Sequence, residues 1–154
     1  MTGGGDILPA ASFRRNNIMA HTGGCQCGAV RYEVTNDLGG IYVCHCTDCQ
    51  AQSSSAFGIS VNVPLDHLKI TKGTPKTFNW TGGGNAKHGA FCAACGTRLW
   101  HLSGDNDRNP SVKGGTLDHA IDLTDAVHIW TLSKLPGIVI PDGCRQFAEE
   151  PVDR

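Results

Sequence analysis

Alternating and β-branched segments are short and closely spaced along this chain, and few runs favour helix. They predict strands at residues 29–34, 41–44, 56–63, 68–71, 76–80, 90–92, 98–101 and 128–132. Gly82-Gly83-Gly84-Asn85 reads as a hairpin turn, because glycine enters positive φ without steric cost, and Gly114-Gly115 marks another turn. Residues 47–54 predict one or two helical turns with Thr47 as the N-cap, and residues 117–120 predict a further single turn. Many short strands divided by frequent turn signals indicate a mainly β fold with short helical turns.

A chain of 154 residues suits one domain, able to bury about two-thirds of its extended surface. The pattern divides it into a flexible, glycine-containing extension over residues 1–20, a domain over 21–147 and a tail over 148–154. A net charge of −1, with no basic tail or patch, argues against nucleic acid and anionic membrane as partners. No apolar stretch approaches the ~20 residues that span a bilayer. The best candidate, 132–140, is interrupted by Ser133, Lys134 and Pro136. Arg14-Arg15 lacks the apolar run that follows a twin-arginine export signal. Eight cysteines without a secretory signal favour metal or thiol chemistry in a reducing compartment over disulfides, so a cytoplasmic protein is expected. The oligomeric state is not legible.

Seven of those cysteines fall into three clusters: Cys25-x-Cys27, Cys44-x-Cys46-x-x-Cys49 and Cys92-x-x-Cys95. A closed structural zinc takes four thiolates, whereas three leave an open position of the kind that catalytic zinc keeps. Cys25, Cys27, Cys92 and Cys95 therefore read as one closed set, each pair followed by a glycine that permits a tight turn. Bound there, the metal would staple two distant segments.

The second cluster reads as an open site on Cys44, Cys46 and Cys49, with a closed structural site as the alternative. Asp48, His88, His101 or Cys144 would supply the missing ligand in that alternative. In an extended Cys-x-Cys segment alternate side chains share a face, so His45 is expected to point away from the metal. A thiolate-ligated metal suits an incoming thiol as fourth ligand, which favours sulfur addition to a carbonyl over water activation.

Other residues carry weaker signals. Gln50, Gln52 and Ser53 to Ser55 read as a polar loop, with a pocket lining as the alternative, and Phe57, Trp80 and Trp130 as core aromatics, with a pocket wall as the alternative. Arg98 reads as a surface ion-pair partner, with a substrate carboxylate as the alternative. Lys72, Lys76, Lys87 and Lys113 are scattered and predict no anion site, and Cys144 is expected to stay unligated.

The motifs Gly23-Gly24-Cys25-Gln26-Cys27-Gly28, Cys44-His45-Cys46-Thr47-Asp48-Cys49 and Phe91-Cys92-Ala93-Ala94-Cys95-Gly96-Thr97 resemble those of the glutathione-dependent formaldehyde-activating enzymes, a family that includes centromere protein V. Weaker matches are the 115–118 turn and the 128–130 strand. The resemblance implies a β-tent fold with two zinc ions. By motif position, Cys25, Cys27, Cys92 and Cys95 would hold the structural zinc, and Cys44, Cys46 and Cys49 the catalytic one. It further implies carbon–sulfur lyase chemistry, joining a thiol such as glutathione to an aldehyde such as formaldehyde as S-hydroxymethylglutathione. The competing expectation is a zinc-stabilised binding module without catalysis, and a thiol-redox protein is a third.

Overall fold

The computed structural model describes residues 20–82 and 84–151. Nearly all of the expected N-terminal extension, Gly83 of the expected hairpin turn and the last three residues of the tail lie outside the described residues. The strands are β1 (His21–Gly24), β2 (Arg31–Val34), β3 (Ile41–Cys44), β4 (Gly58–Asn62), β5 (Leu68–Lys72), β6 (Lys76–Gly82), β7 (Asn85–Phe91), β8 (Arg98–Leu102), β9 (Ser111–Lys113) and β10 (Val127–Ile129). A short helix, α1 (Thr47–Ser53), follows β3, and single 3-10 turns occupy Leu65–His67, Gly114–Thr116 and Thr131–Ser133. The fold is mainly β, as the alternation indicates.

Two sheets form. One has the order β1-β2-β5, and the other β10-β3-β4-β9-β8-β7-β6, with β10 parallel to β3 and its other pairings antiparallel. Directly opposed residues share a face, so register sorts the larger sheet into two surfaces. The row Ile41, Val61, Val112 and Trp100 is apolar. It joins Tyr32 and Val34 of the smaller sheet, with Val30, Leu99, Val63 and Leu117, in the main core. Each such side chain contributes about 1.5–3 kcal/mol on burial. The neighbouring row, Asn62, Ser111, His101 and Gly89, belongs to the opposite face, as do Tyr42, Ser60 and Lys113. That polar face carries the site described below.

The structure departs from the sequence expectations in four places. Strands β1 and β9 went unpredicted: β1 reads His-Thr-Gly-Gly with no β-branched run, and β9 has three residues. Cys46, not Thr47, is the N-cap of α1, its sulfur accepting the Cys49 N–H. The helical turn expected at 117–120 is replaced by a bridge from Leu117 to Gly23. Residues of the expected tail are tied down, since the Leu132 N–H donates to the Ala148 carbonyl at 3.3 Å and the Trp130 N–H to the Glu149 carbonyl at 3.4 Å. Among the described residues, no helix is long and apolar enough to cross a membrane.

Asp118 links the smaller sheet to the segment after β9. Its carboxylate accepts the Thr22 hydroxyl at 2.6 Å and pairs with Arg31, and its N–H donates to the Thr22 carbonyl at 2.9 Å. The Arg31 hydrogen bond, then that of Thr22, holds this carboxyl below its ordinary 3.8. A depressed folded pKa stabilises above the unfolded value and loses its effect as pH falls through the folded one. Asp118→Asn is therefore expected to lower the melting temperature at neutral pH, with the difference from the parent shrinking progressively below pH 3.8. A difference that persists undiminished in acid would contradict this role.

Candidate metal centres

The turn after β1 and the connection from β7 to β8 are built alike. In the first, the Gly28 N–H donates to the Cys25 carbonyl at 3.0 Å, and in the second the Gly96 N–H donates to the Cys92 carbonyl at 2.8 Å. Gly28 and Gly96 take φ of 73° and 76°, a left-handed conformation that costs a residue bearing Cβ. These turns aim Cys25, Cys27, Cys92 and Cys95 at one point, all four sulfurs within 4.8 Å of one another. Cys25 and Cys27 sulfurs are 3.5 Å apart, and Cys27 and Cys92 sulfurs 3.8 Å. A disulfide needs about 2.05 Å. The edge of a tetrahedron with 2.3 Å metal–sulfur bonds is about 3.8 Å. All eight cysteines are free, and this set fits zinc. The Val30 N–H lowers the Cys25 thiol pKa, and the Thr97 hydroxyl and N–H bring Cys95 down to about 5, so both favour the ligating thiolate.

Cys44 ends β3, Cys46 caps α1 and Cys49 lies in its first turn. Their three sulfurs also lie within 4.8 Å of one another. Gly58, opposite Cys44 in β4, keeps the space: an added Cβ would stand 3.3 Å from that of Cys49. The Cys49 N–H donates to the Cys46 sulfur at 3.3 Å. Hydrogen bonds from Cys44 and Cys49, then from the backbone, hold Cys46 far below the usual thiol range. Cys44, donating to Cys46 and buried, is pushed far up.

Among the described residues, no fourth ligand joins this cluster. Asp48 accepts the Trp80 indole N–H at 3.3 Å, and His88 bridges Asn79 and Asp105 at 3.0 and 2.8 Å. The His101 ring meets Lys113 Nζ at 3.0 Å, and the Cys144 thiol donates to the Thr124 carbonyl at 3.4 Å. His45 points to the other side, as alternation requires. It is fully buried, 3.0 Å from His128 Nδ1, and packs edge-on against Phe57. Burial lowers the pKa of both histidines. The His45 N–H donates to the Ile129 carbonyl at 3.0 Å, and Gln50 Nε2 donates to the carbonyls of His45 and Ser133 at 2.7 and 2.9 Å. These bonds fasten the cysteine loop to β10 and the turn after it.

Two cavities meet at Cys49 and Gln52. The larger, about 660 Å³, opens over Cys44, Cys46 and Cys49 between Trp80 and Trp130. Trp80 is a cleft wall and not the core aromatic that its strand suggests, whereas Trp130 lines the cleft and also packs against the apolar cluster of Cys44, Cys49, Val127 and Ile129. Trp130 adopts φ 58°, a left-handed conformation costing of order 1–3 kcal/mol in a residue with Cβ. Its indole N–H reaches Glu150 at 2.8 Å.

The smaller cavity, about 540 Å³, runs from Cys49 to Cys95 and includes Ser53 to Ser55, Arg98 and Lys113. Arg98 makes no ion pair among the described residues, against expectation, and stacks on Trp80 and Phe78. Lys113 is not a scattered surface lysine: burial lowers its pKa, while the charge of Cys49 opposes that shift. Its position follows from pairing with Ser60, which only the three-residue strand β9 establishes.

This is a small β protein with one four-cysteine and one three-cysteine cluster that could each hold a metal ion, the latter at the floor of a cleft. Residues 20–133 match the family model of the glutathione-dependent formaldehyde-activating enzyme, and the chain belongs to that family. A crystal structure of a Rhodobacter sphaeroides protein shares the fold, with a TM-score of 0.56 at 23% identity over 70% of this chain and 98% of that one.

Reconstitution under reducing conditions is expected to load two zinc or cobalt ions per chain, counted by elemental analysis or cobalt–thiolate absorption. Cys46→Ser should keep one ion and the fold, whereas Cys92→Ser should lose the fold with its ion, because metal binding there is folding free energy. Two ions retained by Cys46→Ser would contradict the assignment.

Proposed function

We propose that this protein is a cytoplasmic zinc-dependent carbon–sulfur lyase that forms and cleaves a thiol–aldehyde adduct, with S-hydroxymethylglutathione as the model substrate. In this reading Cys25, Cys27, Cys92 and Cys95 hold a structural zinc. Cys44, Cys46 and Cys49 hold the catalytic one. The observation that carries the proposal is the three-thiolate cluster at the floor of a cleft, with no fourth ligand among the described residues. Zinc bound there would keep an incoming thiol as its thiolate at neutral pH and hold it as a nucleophile.

The chain's own residues supply position and enclosure. Cys44 is fixed by β3, and Cys46 and Cys49 by the first turn of α1, so the acceptor corner is set by backbone geometry. His45, Gln50 and β10 lock that loop against displacement. Trp80 and Trp130 wall the cleft and limit water around the reacting sulfur and carbonyl. In the forward direction the sulfur lone pair forms the C–S bond, the carbonyl π pair moves to oxygen, and that oxygen takes a proton from solvent. Cleavage is the reverse. Holding both reactants in the cleft contributes through proximity.

The test is exchange between glutathione and formaldehyde, followed by carbon-13 nuclear magnetic resonance with and without enzyme. Cys46→Ser, with its fold checked by circular dichroism, is expected to reduce the catalysed rate at least 100-fold, the order expected when a nucleophile loses its activating group. Equal rates in parent and variant would sink the lyase reading and leave a stapled binding module.

A further inference from the structure

Arg98 is the part of the smaller cavity that the cysteine clusters leave unexplained. Its guanidinium lies 5.4 Å from the Trp80 ring centroid and 5.8 Å from that of Phe78. Its Nε and Nη2 are buried without a hydrogen-bond partner, and no carboxylate among the described residues lies within ion-pair distance. The sheet surrenders a side chain to seat it: a Cβ on Gly89 would stand 2.5 Å from Arg98 Nη2 and 2.9 Å from Trp80. A buried donor left unpaired costs about 1–3 kcal/mol, and more when charged. A guanidinium fork matches the two oxygens of a carboxylate.

The neighbouring charges do not answer this demand. Lys113 lines the same cavity, with its Nζ 3.0 Å from the His101 ring. For Arg98 burial alone is at work, without a compensating anion. The cavity therefore holds two cations, hydroxyls from Ser53, Thr97 and Thr116, and a wall formed by Cys49. Among the described residues, no acidic side chain lines it.

We propose that Arg98, assisted by Lys113, binds a carboxylate of the ligand in the smaller cavity while the ligand's thiol engages the Cys44, Cys46 and Cys49 cluster. The thiol part rests on the proposed function, whereas the carboxylate seat stands on the cavity alone. The substrate class is then a thiol that carries a carboxylate at its far end. A neutral thiol lacks the group that Arg98 is held ready to meet.

Calorimetry on the zinc-loaded protein separates these statements. S-methylglutathione keeps both carboxylates and has no free thiol, and its dimethyl ester lacks the charges. The acid is expected to bind at least tenfold more tightly than the ester. Arg98→Gln should abolish that preference with zinc content and circular dichroism unchanged, and Arg98→Lys should restore part of it. Equal affinity for acid and ester, no detectable binding of the acid, or a preference that survives Arg98→Gln overturns the proposal. Should Arg98→Gln fail to fold, Arg98→Lys decides: an undiminished preference overturns the seat and a weakened one supports it. An intact acid preference beside adduct exchange that Cys46→Ser leaves unchanged would retain the seat and remove the lyase.

Discussion

Convergence of four cysteine sulfurs from two turns is the constraint on which the architecture rests. Cys25 and Cys27 follow β1 of the smaller sheet, and Cys92 and Cys95 follow β7 of the larger one. Two of the sulfur pairs stand 3.5 and 3.8 Å apart, and four thiolates so close would repel one another without a cation, so a bound metal would tie the two sheets together. Cys25 and Cys92 also belong to the main core. Electrostatic and hydrophobic cohesion therefore meet at the same residues. The register of the larger sheet sets the polar face on which the cleft opens.

That face explains how a small protein presents chemistry without sacrificing its core. Period-two alternation sends Val61 and Val112 inward and Ser60, Asn62, Ser111 and Lys113 to the other side. The three-cysteine loop is placed at the end of β3, at the edge of this polar surface, and a buried imidazole pair fastens it from behind. Its sulfurs are held by backbone and by a network that does not depend on them. Preorganisation of this kind lets a binding corner persist while its occupant changes.

Much of this was legible from spacing. The three cysteine clusters read directly, and the one-residue offset of His45 from its flanking cysteines turned it away from the three sulfurs. Most strands followed from alternation. What stayed hidden depended on pairing at long range. Strand β1 contains two glycines, and its strand character comes from β2 alongside it. Strand β9 is three residues long, so neither its existence nor the approach of Lys113 to Cys49 leaves a local trace. Arg98 was visible as a residue but not as a solitary charge. A bulge between Ala90 and Phe91 shifts the pairing beside it, and solitude is a property of the folded surroundings. The helix cap was misread for a related reason, since a cysteine takes the place that threonine usually fills.

The two halves of the four-sulfur cluster differ in their relation to solvent: Cys25 and Cys92 are buried, whereas Cys27 and Cys95 are exposed. With a metal bound there, this asymmetry would give its exchange a direction. A carrier or chelator would meet the outer pair first, while the inner pair still held the ion. Ligand substitution would then begin at the surface, before the join between the sheets is given up. The cluster is thus kinetically addressable at its rim and thermodynamically anchored at its root.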